Sequence, residues 1–547
     1  MAHYLTLFRR RATPQSGPIP GSVPNSAGGH AFPVDDWTRL DRFLVLGAEG
    51  GSYYATERAL TRENAQAVLR CLAADGPRAV ARILAVSEEG RAPRNDPAVF
   101  ALALAAAADD LATRREAFAA LPRVCRTGTH LFRFAALVEG QRGWGRALRR
   151  AIGAWYLARP IEQLAYQLVK YRQREGWSHR DLLRLAHPET SEPVRRDLFE
   201  WVCRGTEGEA LPTLVRAAAE LGRCTDADAA AALIRAHDLP REAVPTALLN
   251  EAEVWLALLE RMPLSALVRS LAKLSAVGVL RLPGPFAALG LLRPISQTVP
   301  RVMAALTDAE RIARARVHPL AFLLALRTYA AGRGDRGRLT WEPVPAVTEA
   351  LNAAFHAAFR AVEPTGKRLL LALDVSGSMA TGRVAGTALT PREGSAAMAL
   401  MTAATEAKVH IVGFTASGLA SGGWGTPAVL APLSISHGMR LDDAVRAVSG
   451  LPFGGTDCAL PMLHALERGL SVDGFVVYTD SETWAGAVHP VQALRLYRER
   501  TGIPAKLVVV GMVSNGFSIA DPDDAGMLDV VGFDAAAPAV IADFLRR

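Results

Sequence analysis

Lys367-Arg-Leu-Leu-Leu-Ala-Leu373, followed by Asp374-Val-Ser-Gly-Ser378, decides how the last third of this 547-residue chain folds. An unbroken apolar run of this length is the pattern of a parallel strand buried on both faces. In an open α/β sheet the carboxyl end of such a strand is where ligands are held. Asp-x-Ser-x-Ser there puts one carboxylate and two hydroxyls on a single turn, hard oxygen donors that suit Mg²⁺ or Mn²⁺ rather than zinc. From residue 367 onward, strand candidates at 368–373, 408–414, 475–479 and 505–511 alternate with helical stretches near 393–407, 440–448, 457–469, 490–500 and 537–546. The alternation predicts a doubly wound parallel sheet.

Two more oxygen donors fall at suitable places. Gly454-Gly455-Thr456-Asp457 is a glycine turn opening a helical pattern, and Phe475-Val-Val-Tyr-Thr479 is a strand that ends in Asp480. Three loops at one sheet edge then surround one cation with few carboxylates and several waters, as Mg²⁺ prefers. This set resembles the metal-ion-dependent adhesion site of von Willebrand factor A domains. The resemblance implies metal-site roles for Asp374, Ser376, Ser378, Thr456 and Asp480, some through water, with an open position completed by a partner's acidic oxygen. Mg²⁺ is the expected ion, with Mn²⁺ or Ca²⁺ as alternatives.

Ahead of this domain the chain reads differently. Residues 1–30 are rich in Pro, Gly and Ser and read as an irregular arm. From 31 to 366 the periodicity is helical almost throughout. Ile161, Leu164, Ala165, Leu168 and Val169 follow i, i+3, i+4, i+7, i+8. Gly176 reads as the stop for that helix, and Ser178 with Asp181 as a near capping box for the next. Further short helices are expected over Ser191–Cys203, Gly208–Gly222, Asp226–His237, Pro263–Ser275 and Pro319–Ala331. The rhythm suits a HEAT-like α-solenoid, with a compact multi-helix bundle as the alternative.

The net charge of +8 is uneven: Lys and Arg outnumber Asp and Glu by 11 before residue 367, and the balance beyond is −3. A basic helical part suggests a polyanion partner. Five scattered cysteines without Cys-x-x-Cys spacing fit reduced, buried thiols rather than a disulfide framework or zinc site. No secretory leader is legible, and the longest apolar stretch, Ala98 to Ala108, is too short to span a bilayer. A cytoplasmic location with no membrane partner is expected. The best nucleic-acid candidate is 123–187. Lys170 and Arg174, four apart, are expected on one helix face, and Arg180, Arg184 and His187 form a stripe on the next. Arg123, Arg126, His130, Arg133, Arg142, Arg146, Arg149 and Arg150 add charge upstream. Tyr171 and Trp177 read as packing residues. Gly332-Arg-Gly-Asp-Arg-Gly337 has dinucleotide-loop spacing but follows a helix, so nucleotide binding is not expected there.

Several strings resemble the Ro ribonucleoprotein autoantigen family and its TROVE module. They are Asn25-Ser-Ala-Gly-Gly29, Phe43-Leu-Val-Leu-Gly-Ala-Glu-Gly-Gly51, Gly128-Thr-His-Leu-Phe132 and Arg142-Gly-Trp-Gly-Arg146. The continuous run from Lys170 to His187, Met262-Pro-Leu-Ser-Ala-Leu267 and the run from Ser514 to Leu528 match too. The resemblance implies helical repeats closed into a ring and bridged by the adhesion-type domain (367–547). It implies a basic hole for single-stranded 3′ ends of misfolded RNAs, and an outer surface, including Lys170, Arg174 and His187, for Y RNA and RNA helices. It also implies an exoribonuclease linked through Y RNA, and no catalytic activity. No DNA specificity is expected. The rival readings are a protein-adhesion module without RNA and, less favoured for want of a general base, a metal-dependent hydrolase.

Overall fold

A computed structural model describes residues 12–47, 57–174, 176–280, 297–334, 338–358, 363–381, 383–384, 389–416, 429–436, 439–449 and 454–547. The N-terminal segment carries two short strands, β1 (Val23–Pro24) and β2 (His30–Pro33), paired antiparallel. Helices then follow one another from Asp36–Leu46 to Pro345–Ala358. Their sequence logic is local. In Ile161–Lys170 the buried residues are Leu164, Ala165, Leu168 and Val169, the stripe its spacing dictates. Asp110 and Asp226 cap the starts of Leu111–Val124 and Ala227–His237 by accepting from Thr113 N and Ala229 N. The Ser178–Asp181 capping box is complete: Asp181 N donates to Ser178 Oγ at 3.3 Å, and Ser178 N to Asp181 Oδ2 at 2.9 Å. A tight hairpin of β3 (Gln173–Arg174) and β4 (Trp177–Ser178) interrupts the described helical body.

The C-terminal domain is a six-stranded sheet. Its strands are β5 (Leu369–Asp374), β6 (Val409–Thr415), β7 (Val429–Pro432), β8 (Gly474–Thr479), β9 (Lys506–Gly511) and β11 (Met527–Val531); the two-residue β10 (Phe517–Ser518) lies outside it. The order is β11-β9-β8-β5-β6-β7, parallel except for the edge strand β7. The four strands expected from the sequence are present. The edges β7 and β11 and the short helix Gly377–Thr381 are additions to that expectation. From β5 the chain first builds outward through β6 and then returns to β8 on the other side. The carboxyl ends of β5 and β8 therefore border the topological switch point, where α/β sheets hold ligands.

The helical body closes on itself with the sheet domain as its clasp. At the end of Glu57–Glu89, the Glu88 carbonyl accepts from Arg316, which lies just before the helix Pro319–Ala330. Arg42 on the first of these helices pairs with Asp529 of β11 at 2.8 Å, and Arg91 pairs with Asp534. From the far end Arg327 reaches Glu393 at 2.8 Å, and Asn352 accepts from Leu441 N at 2.9 Å. A ring is thus built, and the compact-bundle alternative falls. The N-terminal segment lies on the sheet domain through β2 pairing with β10. Gly29 is required there: a Cβ would stand 1.9 Å from the Thr483 carbonyl oxygen. Of the Gly332–Gly337 loop, 335–337 lie outside the described residues, and Arg333 bridges Thr340 rather than entering a βαβ unit. Cys203 and Cys224 are only half-buried, whereas Cys71, Cys125 and Cys458 are buried.

His318 sits in this closure. Its Nε2 meets the Phe533 carbonyl at 2.7 Å while Nδ1 accepts from Leu320 N at 3.1 Å, so the ring is neutral. Burial holds its pKa down to about 4. A histidine depressed in the folded state contributes stability above its unfolded pKa and loses it as pH falls toward the folded value. His318→Leu is expected to cost about 1–3 kcal/mol at pH 7.5, through two unpaired buried groups. The gap from wild type should shrink as pH drops from 6.5 toward 4. Thermal midpoints of the two proteins across that range check this; a gap that stays constant would contradict it.

Candidate functional site

β5 delivers Asp374 and β8 delivers Thr479 and Asp480 to the same edge of the sheet. The third loop is fixed by the Ala416–Gly455 bridge and by Thr415 Oγ1 donating to the Gly455 carbonyl at 3.0 Å, which carries Thr456 inward. Asp374, Ser376, Ser378, Thr456 and Asp480 are each at most 2 % exposed. The five residues expected to form one oxygen cluster therefore lie on three buried loops at the switch point.

Their hydrogen bonds are informative. Asp374 accepts from Ser376 N at 2.9 Å and from Thr479 Oγ1 at 2.7 Å, while the Ser376 and Ser378 hydroxyls are 3.0 Å apart. Asp480 Oδ1 accepts from Glu482 N at 3.0 Å. Asp480 Oδ2 and Thr456 Oγ1 are buried with no protein partner. Buried polar atoms without partners are rare and call for an explanation, an ion or water among them. Burial raises the Asp374 pKa; burial, then the neighbouring Asp374 and Glu482 charges, raises that of Asp480 to about 8. Two carboxylates and three hydroxyls with orphaned oxygens fit a small hard cation. No group of three or more His, Cys, Asp or Glu side chains placed to share a metal occurs among the described residues.

Sequence reasoning missed the support of this cluster. Arg392, 5 % exposed, donates to the Val375 carbonyl and to that of Ser376 at 3.4 Å. Its signal was the single cation of the helix Pro391–Thr405, which beyond the first-turn pair Arg392-Glu393 carries no other charge. Asn515 Nδ2 donates to the Asp480 carbonyl at 2.6 Å. Gln15 donates to Asp457 Oδ1 at 2.7 Å, and Asn25 to the Thr483 carbonyl at 2.7 Å. Burial pushes the Asp457 carboxyl up to about 6.

The basic candidates sort into two groups. Arg174, Arg180, Arg184 and His187 are exposed along one run of chain. Lys170 and Arg174 do not share a helix, however. The helix ends at Lys170 and Arg174 is on the hairpin, whose turn contains Gly176 at φ +77° rather than a helix stop. Lys170 is half-buried, its ammonium 3.2 Å from Tyr166 Oη. His187 caps its helix in the left-handed conformation, φ 46°. In the upstream group Arg133 pairs with Asp96 at 2.6 Å, and Arg142 donates to the Ala108 carbonyl at 3.2 Å. Arg123 is bound by Glu88, and His130 is largely buried with its pKa lowered by burial to about 4. Trp177 stacks on Trp144 with centroids 5.5 Å apart, a packing role as expected.

A ring of paired helices clasped by an α/β domain with an oxygen cluster at its switch point defines a TROVE and von Willebrand factor A architecture. The TROVE domain family matches residues 23–216 and 236–328, and the Ro60 vWA domain matches 368–545. The chain is 43 % identical over 529 residues to the RNA-binding protein RO60 of Deinococcus radiodurans, covering 96 % of this chain and 95 % of that one. It is 36 % identical over 606 aligned positions to the protein of the same name from Caenorhabditis elegans, covering 96 % and 90 %. The crystal structure of the Deinococcus radiodurans RO (RSR) protein superposes with a TM-score of 0.68 at 41 % identity, over 94 % of this chain and 99 % of that one. The chain belongs to the Ro60 family of TROVE-domain proteins. No helix among the described residues is long and apolar enough to cross a membrane.

Proposed function

We propose that this protein is an RNA-binding scaffold, holding structured non-coding RNA on its helical ring. The observation that carries the reading is the match of both modules, in order, to proteins named for RNA binding. The exposed cations Arg174, Arg180, Arg184 and His187, with Lys170 at their head, supply the phosphate contacts. Such contacts dominate affinity, and RNA helices are read mainly through backbone and shape. The finer ligands are a Y-like RNA and misfolded RNAs with single-stranded 3′ tails, with an exoribonuclease reached through the RNA, in the cytoplasm. Asp374, Ser376, Ser378, Thr456 and Asp480 would hold a divalent cation, Mg²⁺ before Mn²⁺ or Ca²⁺. When bound, the ion supplies an acceptor for an acidic oxygen of a partner. Asp374 and Asp480 provide its charge balance, and Thr479 and Asn515 hold the loops in position.

Filter binding to a hairpin bearing a single-stranded 3′ tail tests the reading. Nanomolar affinity with a steep salt dependence is expected. Joint replacement of Lys170, Arg174 and His187 by Ala should weaken binding and flatten the slope of log K against log salt by roughly 2–3. Absence of binding in dilute buffer would overturn it.

A further inference from the structure

A cleft of about 510 Å³ opens beside Lys170, between helix Ile161–Lys170 and the helices Ala227–His237, Ala252–Leu259 and Leu264–Ala276. Its volume lies within the range of small-ligand sites. The floor is apolar and buried, made by Ile234, Leu239, Leu258 and Met262. One wall is Tyr166, half-buried, with the Lys170 ammonium 5.2 Å from its ring centroid. The lip is charged, and two of its ion pairs hold the mouth in shape: Arg235 with Glu260 at 2.8 Å, and Arg261 with Asp238. Outside those pairs the lining also holds Lys170, Arg241 and Arg269 with Glu162 and Glu242, which leaves an excess of one positive charge.

An aromatic wall, an apolar floor and a lip with excess positive charge form the combination that takes a nucleotide. The ring offers a stacking surface to a base, and the cations meet the phosphate. Lys170 belongs to both places. It ends the helix that leads into the exposed Arg174–His187 run, yet its charge lies along the wall of the cleft. We propose that this cleft receives one unpaired nucleotide of the RNA whose paired region lies over Arg174–His187. The proposal rests on the RNA-binding reading and adds to it a pocket for a base that is out of the helix. RNA whose duplex reaches the cleft without an unpaired nucleotide forfeits this contact. The surface would thereby distinguish interrupted or tailed stems from blunt ones without reading their sequence.

The test uses the full-length protein and two probes, a blunt hairpin and the same hairpin with an unpaired tail carrying 4-thiouridine. In the wild type, irradiation should cross-link the tail to peptides containing Tyr166 or Met262, with millimolar uridine monophosphate competing poorly because it lacks the paired stem. Ala266→Trp fills the cleft from its half-buried lining position. It should weaken the tailed probe by about tenfold, the worth of one stacked base, while changing the blunt probe less than about twofold. Cross-links mapped only elsewhere, or equal weakening of both probes by a variant with the wild-type melting midpoint, would overturn the proposal. Full displacement by the free mononucleotide would reassign the cleft to a soluble nucleotide and equally overturn it. A wild type that binds neither probe would instead remove the RNA-binding reading itself.

Discussion

Arg42→Ala is expected to open the ring. This side chain is 1 % exposed and spans the helical body and the sheet domain. Its Nη1 donates to the Asn515 carbonyl at 2.8 Å, to Asn515 Oδ1 at 3.0 Å and to the Phe517 carbonyl at 2.9 Å. Its Nη2 contacts both oxygens of Asp529, each at 2.8 Å. Removal strands a largely buried carboxylate and three acceptors, and breaking one side of a buried pair costs about 3–5 kcal/mol. Arg42→Lys should recover little, because one ammonium cannot reproduce the guanidinium fork. The exposed pair Arg70–Asp36 at 2.7 Å is the comparison: Arg70→Ala should cost no more than about 1 kcal/mol. Thermal unfolding with small-angle scattering decides the matter. For Arg42→Ala a midpoint several degrees lower and a larger radius of gyration are expected. A closed, unshifted ring would refute the assignment of Arg42 as the clasp.

The two ends of that clasp also mark how far a single sequence can be read. Leu369–Asp374 was legible because a strand buried on both faces must be apolar throughout, and its terminal Asp374 then stood out. Thr456 and Asp480 followed from the same logic of glycine turn and strand end. The edge strands gave no such signal: Val429–Pro432 is four residues ending in proline, and Met527–Val531 carries Asp529 in its middle. The four-residue spacing of Lys170 and Arg174 is compatible with one helix face. The chain leaves the helix at Tyr171, and the Gln173–Arg174 hairpin is stabilised by pairing with Trp177–Ser178, which helical periodicity cannot register. Arg133 and Arg142 carried the right charge, but their engagement with Asp96 and the Ala108 carbonyl depends on helix packing. Gln15 to Asp457 and Arg42 to Asp529 join residues hundreds of positions apart, and no local pattern encodes either. Ring closure was accordingly implied by family resemblance and not by the rhythm of the helices.

The second large effect is expected at the oxygen cluster, where Asp480→Asn should abolish the response to divalent cations while sparing the metal-free protein. Burial and the Asp374 charge raise the Asp480 pKa to about 8, far above its ordinary value of 3.8. A carboxyl raised in the folded state contributes its stability at low pH and loses it as pH climbs through the folded pKa. Without metal, therefore, the folded state resists ionising Asp480 beside Asp374, and wild type should lose stability relative to Asp480→Asn as pH rises from about 4 to about 8, with little further change above that. A divalent cation held as proposed would reverse the sign, by meeting the ionised pair and the Thr456 and Asp480 oxygens that lack protein partners. At a concentration 100 times its dissociation constant it should add about 2.7 kcal/mol. The increment should grow from pH 6 to pH 8 as bound protons cease to compete. Midpoints measured in EDTA and in Mg²⁺ at matched ionic strength separate the contributions. Asn at 480 keeps the side chain's size and an acceptor for Glu482 N, so its metal-free midpoint should equal or exceed that of wild type at pH 8. If Mg²⁺ shifts wild type and Asp480→Asn alike, the cluster is a hydrogen-bonded turn and not a cation site.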